Sequence, residues 1–103
     1  MTDAELAAGV QAAIAYEGWF DSSAIGEADN ESMVTLVITT ADASPDQTSN
    51  GRQASAVAAL TAAVAAAGAS DEVSSDMING VTAAVLQAVS AMRSPPPSAA
   101  QRS

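Results

Sequence analysis

The chain has 103 residues, a formal net charge of −9, and no cysteine, histidine or lysine. Those absences exclude disulfides, zinc–thiolate sites, thiol nucleophiles, Schiff-base lysines and phosphate-loop lysines, and remove the commonest general base and transition-metal ligand. What remains for chemistry is carboxylates, hydroxyls and three arginines, so the chain is read as no enzyme, with no catalytic residues, no cofactor and no metal.

Residues 2–5, Thr-Asp-Ala-Glu, form a capping box in which the Thr2 hydroxyl and the Glu5 carboxylate each satisfy the other's amide. The helix that follows is predicted to face the core with Leu6, Val10 and Ile14, flanked by Ala7 and Ala13, and to stop at Gly18. Trp19 and Phe20 follow, with Tyr16 just before them, and these are the chain's only aromatics. Side chains that bury so much area make this cluster the expected hub of the core.

Residues 19–25 have moderate strand character, and residues 32–40, Ser-Met-Val-Thr-Leu-Val-Ile-Thr-Thr, have strong strand character. The two are expected to pair antiparallel across the acidic connection 26–32. Val34, Leu36 and Ile38 then point to the core, while Met33, Thr35 and Val37 form a second, less committed face. Glu27, Asp29 and Glu31 alternate along one side of the connection if it is extended. A calcium loop counted from Asp29 fails, because its sixth and twelfth places hold Val34 and Thr40. Asn30-Glu31-Ser32 matches a glycosylation sequon and is read as chance.

Ser44-Pro45-Asp46-Gln47 resembles a second capping box, with the helix proper expected to begin near Arg52. Val57, Leu60 and Val64 supply its large side chains and Gly68 ends it; nearly every other position is alanine, so close contact on more than one side is expected. A last helix, capped by Ser70 or Ser75 and running to about Met92, carries a broad apolar arc: Val73, Met77, Val81, Val85 and Met92, widened by Ile78, Leu86 and Val89. Gly80 within it is attributed to close packing. Residues 94–103, Ser-Pro-Pro-Pro-Ser-Ala-Ala-Gln-Arg-Ser, are expected to be a disordered tail.

The predicted fold is therefore α+β, in the order α-β-β-α-α. It is one domain over residues 1–93, with a small two-stranded antiparallel sheet packed by three helices and open to extension by a second copy. Leu, Ile, Val and Phe number only 18 of 103, a thin core of the kind that association often supplements. The nine acids and no arginine of residues 1–51 set a field that repels nucleic acid and anionic lipid. The longest apolar run, 54–69, is too short and too alanine-rich to span a membrane, and the acidic start lacks a signal peptide's basic region.

These features lead to a non-catalytic structural or assembly protein that forms a homo-oligomer, cytoplasmic in location. The interface is assigned to Met33, Thr35, Val37, Trp19 and Phe20. The alanine-rich, lysine-free composition points to a high-GC source, in which a small virion or particle component would fit. The alternative is an acidic inhibitor or adaptor that binds a basic surface of another protein.

Overall fold

The computed structural model describes residues 1–16, 19 and 27–93. The Gly18 stop, Phe20, strand residues 20–25 and the tail 94–103 lie outside the described residues. Among the described residues four helices follow in order: α1 (Asp3–Ala15), α2 (Glu27–Asp42), α3 (Ser49–Ala66) and α4 (Ser75–Arg93). No strand occurs among the described residues, so the α+β fold and its two-stranded sheet are overturned in favour of an all-helical bundle.

The correction centres on residues 32–40, which lie inside α2. Read with a period of 3.6, this segment presents Asn30, Met33, Val34, Val37, Ile38 and Ala41 on one side, and all six are buried. Thr35, Leu36 and Thr40 are half-buried, and Thr39 is exposed. The β-branched residues that suggested a strand are accommodated in part by back-bonding. Thr39 Oγ1 donates to the Thr35 carbonyl at 2.9 Å, and Thr40 Oγ1 donates to that of Leu36 at 2.6 Å. A lone strand would also leave its backbone groups unpaired, whereas a helix satisfies them internally. Burial of one stripe outweighs a propensity difference of a few tenths of a kcal/mol per residue.

The helix ends follow from local chemistry. At α1 both arms of the capping box form: Thr2 N donates to Glu5 Oε1 at 2.8 Å, and Glu5 N donates to Thr2 Oγ1 at 3.1 Å. α3 starts three residues earlier than expected, at Ser49, because Thr48 rather than Ser44 is its cap. Thr48 Oγ1 accepts from Gly51 N at 3.1 Å. Ser44 instead organises the preceding turn, accepting from Asp46 N and bonding the Ser55 hydroxyl at 2.9 Å. At the other end Gly68 takes φ +75°, Ala69 N donates to the Val64 carbonyl, and Gly68 N donates to that of Ala65. This is a Schellman stop, whose left-handed residue favours glycine. Ser74, one residue before the expected Ser75, caps α4 through Met77 N at 3.2 Å.

Packing runs α1–α2–α3–α4 around a closed ring, with α2 and α4 also meeting across the middle. Contacts between the start of α1 and the end of α4, and between the end of α2 and the start of α3, make neighbours antiparallel. The result is an up-down-up-down four-helix bundle. Its interior holds Trp19 with Val34, Val37, Ile38, Leu60, Val64, Val81, Val85 and Val89. The broad arc expected of α4 is present, except that Met92 is 49 % exposed.

α1 is rotated by about one residue from its predicted face. Glu5, Gly9 and Ala13 are its buried positions, Leu6 and Val10 are partly buried, and Ile14 is 46 % exposed. The reason is close approach. A Cβ on Gly9 would stand 2.8 Å from Val34 Cγ1 and 3.3 Å from both Ile38 Cδ1 and Val85 Cγ1, so the bare α1 backbone rests on the α2–α4 seam. Farther along, the Tyr16 ring lies across Gly80 of α4, which accounts for the glycine in mid-helix.

Candidate functional site

Each helix contributes one charged side chain to a single cluster at one end of the bundle: Glu5 of α1, Asp42 of α2, Arg52 of α3 and Arg93 of α4. Arg93 Nε donates to Glu5 Oε2 at 2.5 Å, while its Nη1 and Nη2 donate to the two Asp42 oxygens at 2.7 and 2.9 Å. Arg52 Nη2 reaches Asp42 Oδ1 at 3.0 Å. Forked guanidinium–carboxylate pairing of this kind is both directional and strong among hydrogen bonds. The neighbouring Gln47 amide donates to the carbonyls of Ala41 and Ser44 at 3.0 and 2.7 Å, and its Oε1 accepts from Arg52 Nη1. Gln47 thus helps satisfy the carbonyls of Ala41 and Asp42, which the end of α2 would leave open.

The cluster suppresses acid–base chemistry. Hydrogen bonding from Arg93, seconded by the Thr2 amide, holds the Glu5 carboxyl well below the usual range, at about 2. Arg93 and Arg52 hold Asp42 below its ordinary value, and the two carboxylates raise Arg93. Carboxylates held in the charged form by paired guanidiniums make poor general bases and poor proton donors. The role that fits is a clasp.

The clasp makes stability depend on pH. A carboxylate whose folded pKa is depressed stabilises the fold above its unfolded pKa, and that contribution is lost as pH falls through the folded pKa. The loss should therefore begin near 4.5, the ordinary value for Glu5, and continue to about 2. Protonation of the many other carboxylates relieves mutual repulsion and works the opposite way. We expect the wild-type melting temperature to fall below about pH 4 relative to Glu5→Gln, which has no carboxyl to titrate there, with the two curves parallel above about pH 6. Thermal melts across that range check it, and parallel curves throughout would show that the clasp adds nothing.

The residues assigned to an interface from the sequence have different surroundings. Met33, Val37 and Trp19 are 6 %, 2 % and 1 % exposed and meet in the core beside Ala13, Leu60 and Val85. Thr35 is half-buried, and Phe20 lies outside the described residues. Trp19 Nε1 donates to Asn30 Oδ1 at 2.5 Å in the interior. Asn30, at 1 % exposure within a helix, is closed to glycosylation. Asp29 and Glu31, two residues apart on a helix rather than a strand, diverge to roughly opposite sides. Among the described residues no group of three acids could hold a metal ion.

A separate feature of the surface is the outer face of α3. Ala54, Ala58, Thr61, Ala62, Ala65 and Ala66 are exposed along it, and no ionisable residue occurs from Gln53 to Ser70. Open grooves flank it on both sides. One of about 410 Å³ runs between α2 and α3, lined by Ser32, Met33, Leu36 and Ala63 with Asp29 at its edge. The other, of about 370 Å³, runs between α3 and α4 beside Arg52, Gln53, Leu86 and Gln87. At the bundle end opposite the clasp lie Asp29, Glu31, Asp71 and Asp76, from the start of α2, the α3–α4 connection and the start of α4. No described helix is long and apolar enough to cross a membrane.

The four-helix clasp was hidden in the sequence because its pairs lie 88 and 51 residues apart. The available hint was that the arginines of residues 1–93 are only two, each near a helix end. Comparison with protein-family models, with curated proteins and with solved structures finds no match.

Proposed function

We propose that the chain is a non-catalytic assembly module that associates with copies of itself through the outer face of α3. The observation that carries this reading is the distribution of charge. Two chains of net charge −9 repel wherever carboxylates oppose each other. The α3 face lies within a run of eighteen residues, Gln53–Ser70, that carries no ionisable group. Its alanines let a second helix backbone approach closely, and the flanking grooves can receive that helix's neighbours. The lack of His, Cys and Lys and the saturated carboxylates of the clasp support a non-catalytic role. A cytoplasmic setting, or a virion or other particle from a high-GC source, would suit such a module.

A second reading rests on the acidic end formed by Asp29, Glu31, Asp71 and Asp76, which suits an adaptor for a basic protein surface. Salt separates the two. Self-association through an uncharged face should strengthen as the ionic strength rises from about 0.05 to about 0.5 M, because repulsion between the like-charged copies is screened. Binding of a basic partner by the acidic end should weaken over the same range.

The test is molar mass by light scattering, wild type beside Ala62→Glu. Wild type is expected to exceed the monomer mass, more so at high salt, and Ala62→Glu to be monomeric with unchanged circular dichroism. A wild type that stays monomeric at several hundred micromolar in high salt overturns the self-assembly reading.

A further inference from the structure

We infer that α1 is a strap that opens and closes on a more firmly built α2–α3–α4 core, with the Glu5–Arg93 pair as its catch. The inference stands apart from the assembly reading and rests on how unevenly the bundle's interior is supplied.

Apart from Trp19, which follows α1, and Val73, just before α4, the large buried side chains come from the other three helices: Met33, Val34, Val37 and Ile38 from α2, Leu60 and Val64 from α3, and Ile78, Val81, Val85, Leu86 and Val89 from α4. α1 buries only Gly9, Ala13 and Glu5, with Leu6 and Val10 partly covered. Its backbone lies close to its neighbours because its residues are small, so it gains little apolar burial of its own for the closeness of the fit. It also does not pack on α3.

The two ends of α1 are held differently. At its C-terminal end Tyr16 lies over Gly80, and Tyr16 O accepts from Trp19 N just before the Trp19 side chain enters the core. At its N-terminal end the described side-chain hold is Glu5 on Arg93. That geometry defines a hinge near Tyr16 and a catch near Glu5. Release of the catch would uncover the seam of Val34, Ile38 and Val85 beneath Gly9. The charged groups around the catch are the Met1 ammonium and Asp3 at the start of α1, Asp42 on α2, Arg52 on α3 and Arg93 on α4.

Native-state hydrogen exchange followed by NMR tests the strap. In wild type the amides of residues 7–15 should exchange through an opening that leaves those around Leu60 and Val64 protected. Glu5→Gln keeps a side-chain oxygen for the capping box but removes the charge from the catch. It should speed α1 exchange by roughly fivefold or more while leaving α3 exchange within about twofold. Asp3→Asn, which removes a neighbouring exposed charge without touching the catch, should leave both within about twofold. Equal protection of α1 and α3 in wild type overturns the strap. An equal acceleration of both helices in Glu5→Gln, or none in either, overturns the catch.

Discussion

Val37→Lys is expected to unfold the bundle, whereas Thr39→Lys is expected to leave it folded. A strand would place Val37 and Thr39 on the same face, since their side chains are two residues apart. In α2 they diverge: Val37 is 2 % exposed and packs in the core beside Trp19, Leu60 and Val85, while Thr39 is exposed. Lysine at position 37 would bury an ammonium group without a partner. The interior there is apolar, and the chain's net negative charge is displayed outside it. Uncompensated burial of a charge costs several kcal/mol, comparable with the roughly 5 kcal/mol total at the low end for small domains. Thr39→Lys gives up only a solvent-exposed hydroxyl bond to the helix backbone and should change stability by less than about 1 kcal/mol. Far-UV circular dichroism at 25 °C with thermal melts reads both. Equal tolerance of the two substitutions would argue against the helix, and a folded Val37→Lys dimer or monomer would remove Val37 from the core.

That contrast also shows what the sequence made legible. Where a few adjacent residues close their own hydrogen bonds, it was enough: the Thr2–Glu5 box and the Gly68 stop are as read. The arc of α4 was legible because Ile78, Val81, Val85, Leu86 and Val89 are large and keep one period. α2 misled because Met33-Val34 and Val37-Ile38 form adjacent pairs, which satisfy a helical stripe while also permitting alternation. In so short a segment the β-branched content tilted the reading, and the lack of any other strong strand to pair with was the signal against it. α1 misled for a different reason. Its large residues, Leu6, Val10 and Ile14, suggested the buried face, but the fit onto the α2–α4 seam is made by its smallest residue, Gly9. The clasp required knowing which helix ends meet, which is a property of the fold and not of any local stretch.

Trp19 is the place where the core depends most on one side chain, and its loss should be the costliest truncation in the molecule. It is 1 % exposed, the largest buried residue, and its indole N–H donates to Asn30 Oδ1, itself on a residue 1 % exposed. Trp19→Ala removes a large apolar volume and also leaves a buried amide without its donor. The first loss costs about 3–5 kcal/mol and the second adds about 1–3 kcal/mol. That sum rivals the stability of a small domain, so Trp19→Ala should be largely unfolded. Trp19→Phe separates the two losses, since it keeps much of the ring but deletes the donor. Restoring an apolar surface opposite, with Asn30→Leu in the Trp19→Phe background, removes the unsatisfied amide at similar volume. The double variant should regain at least about 1 kcal/mol over Trp19→Phe, while Asn30→Leu alone should destabilise, because it orphans the indole N–H. Urea unfolding followed by circular dichroism measures the cycle, since these variants remove or alter the only tryptophan. Strictly additive effects would mean that the hydrogen bond contributes nothing and that Trp19 acts through its volume alone.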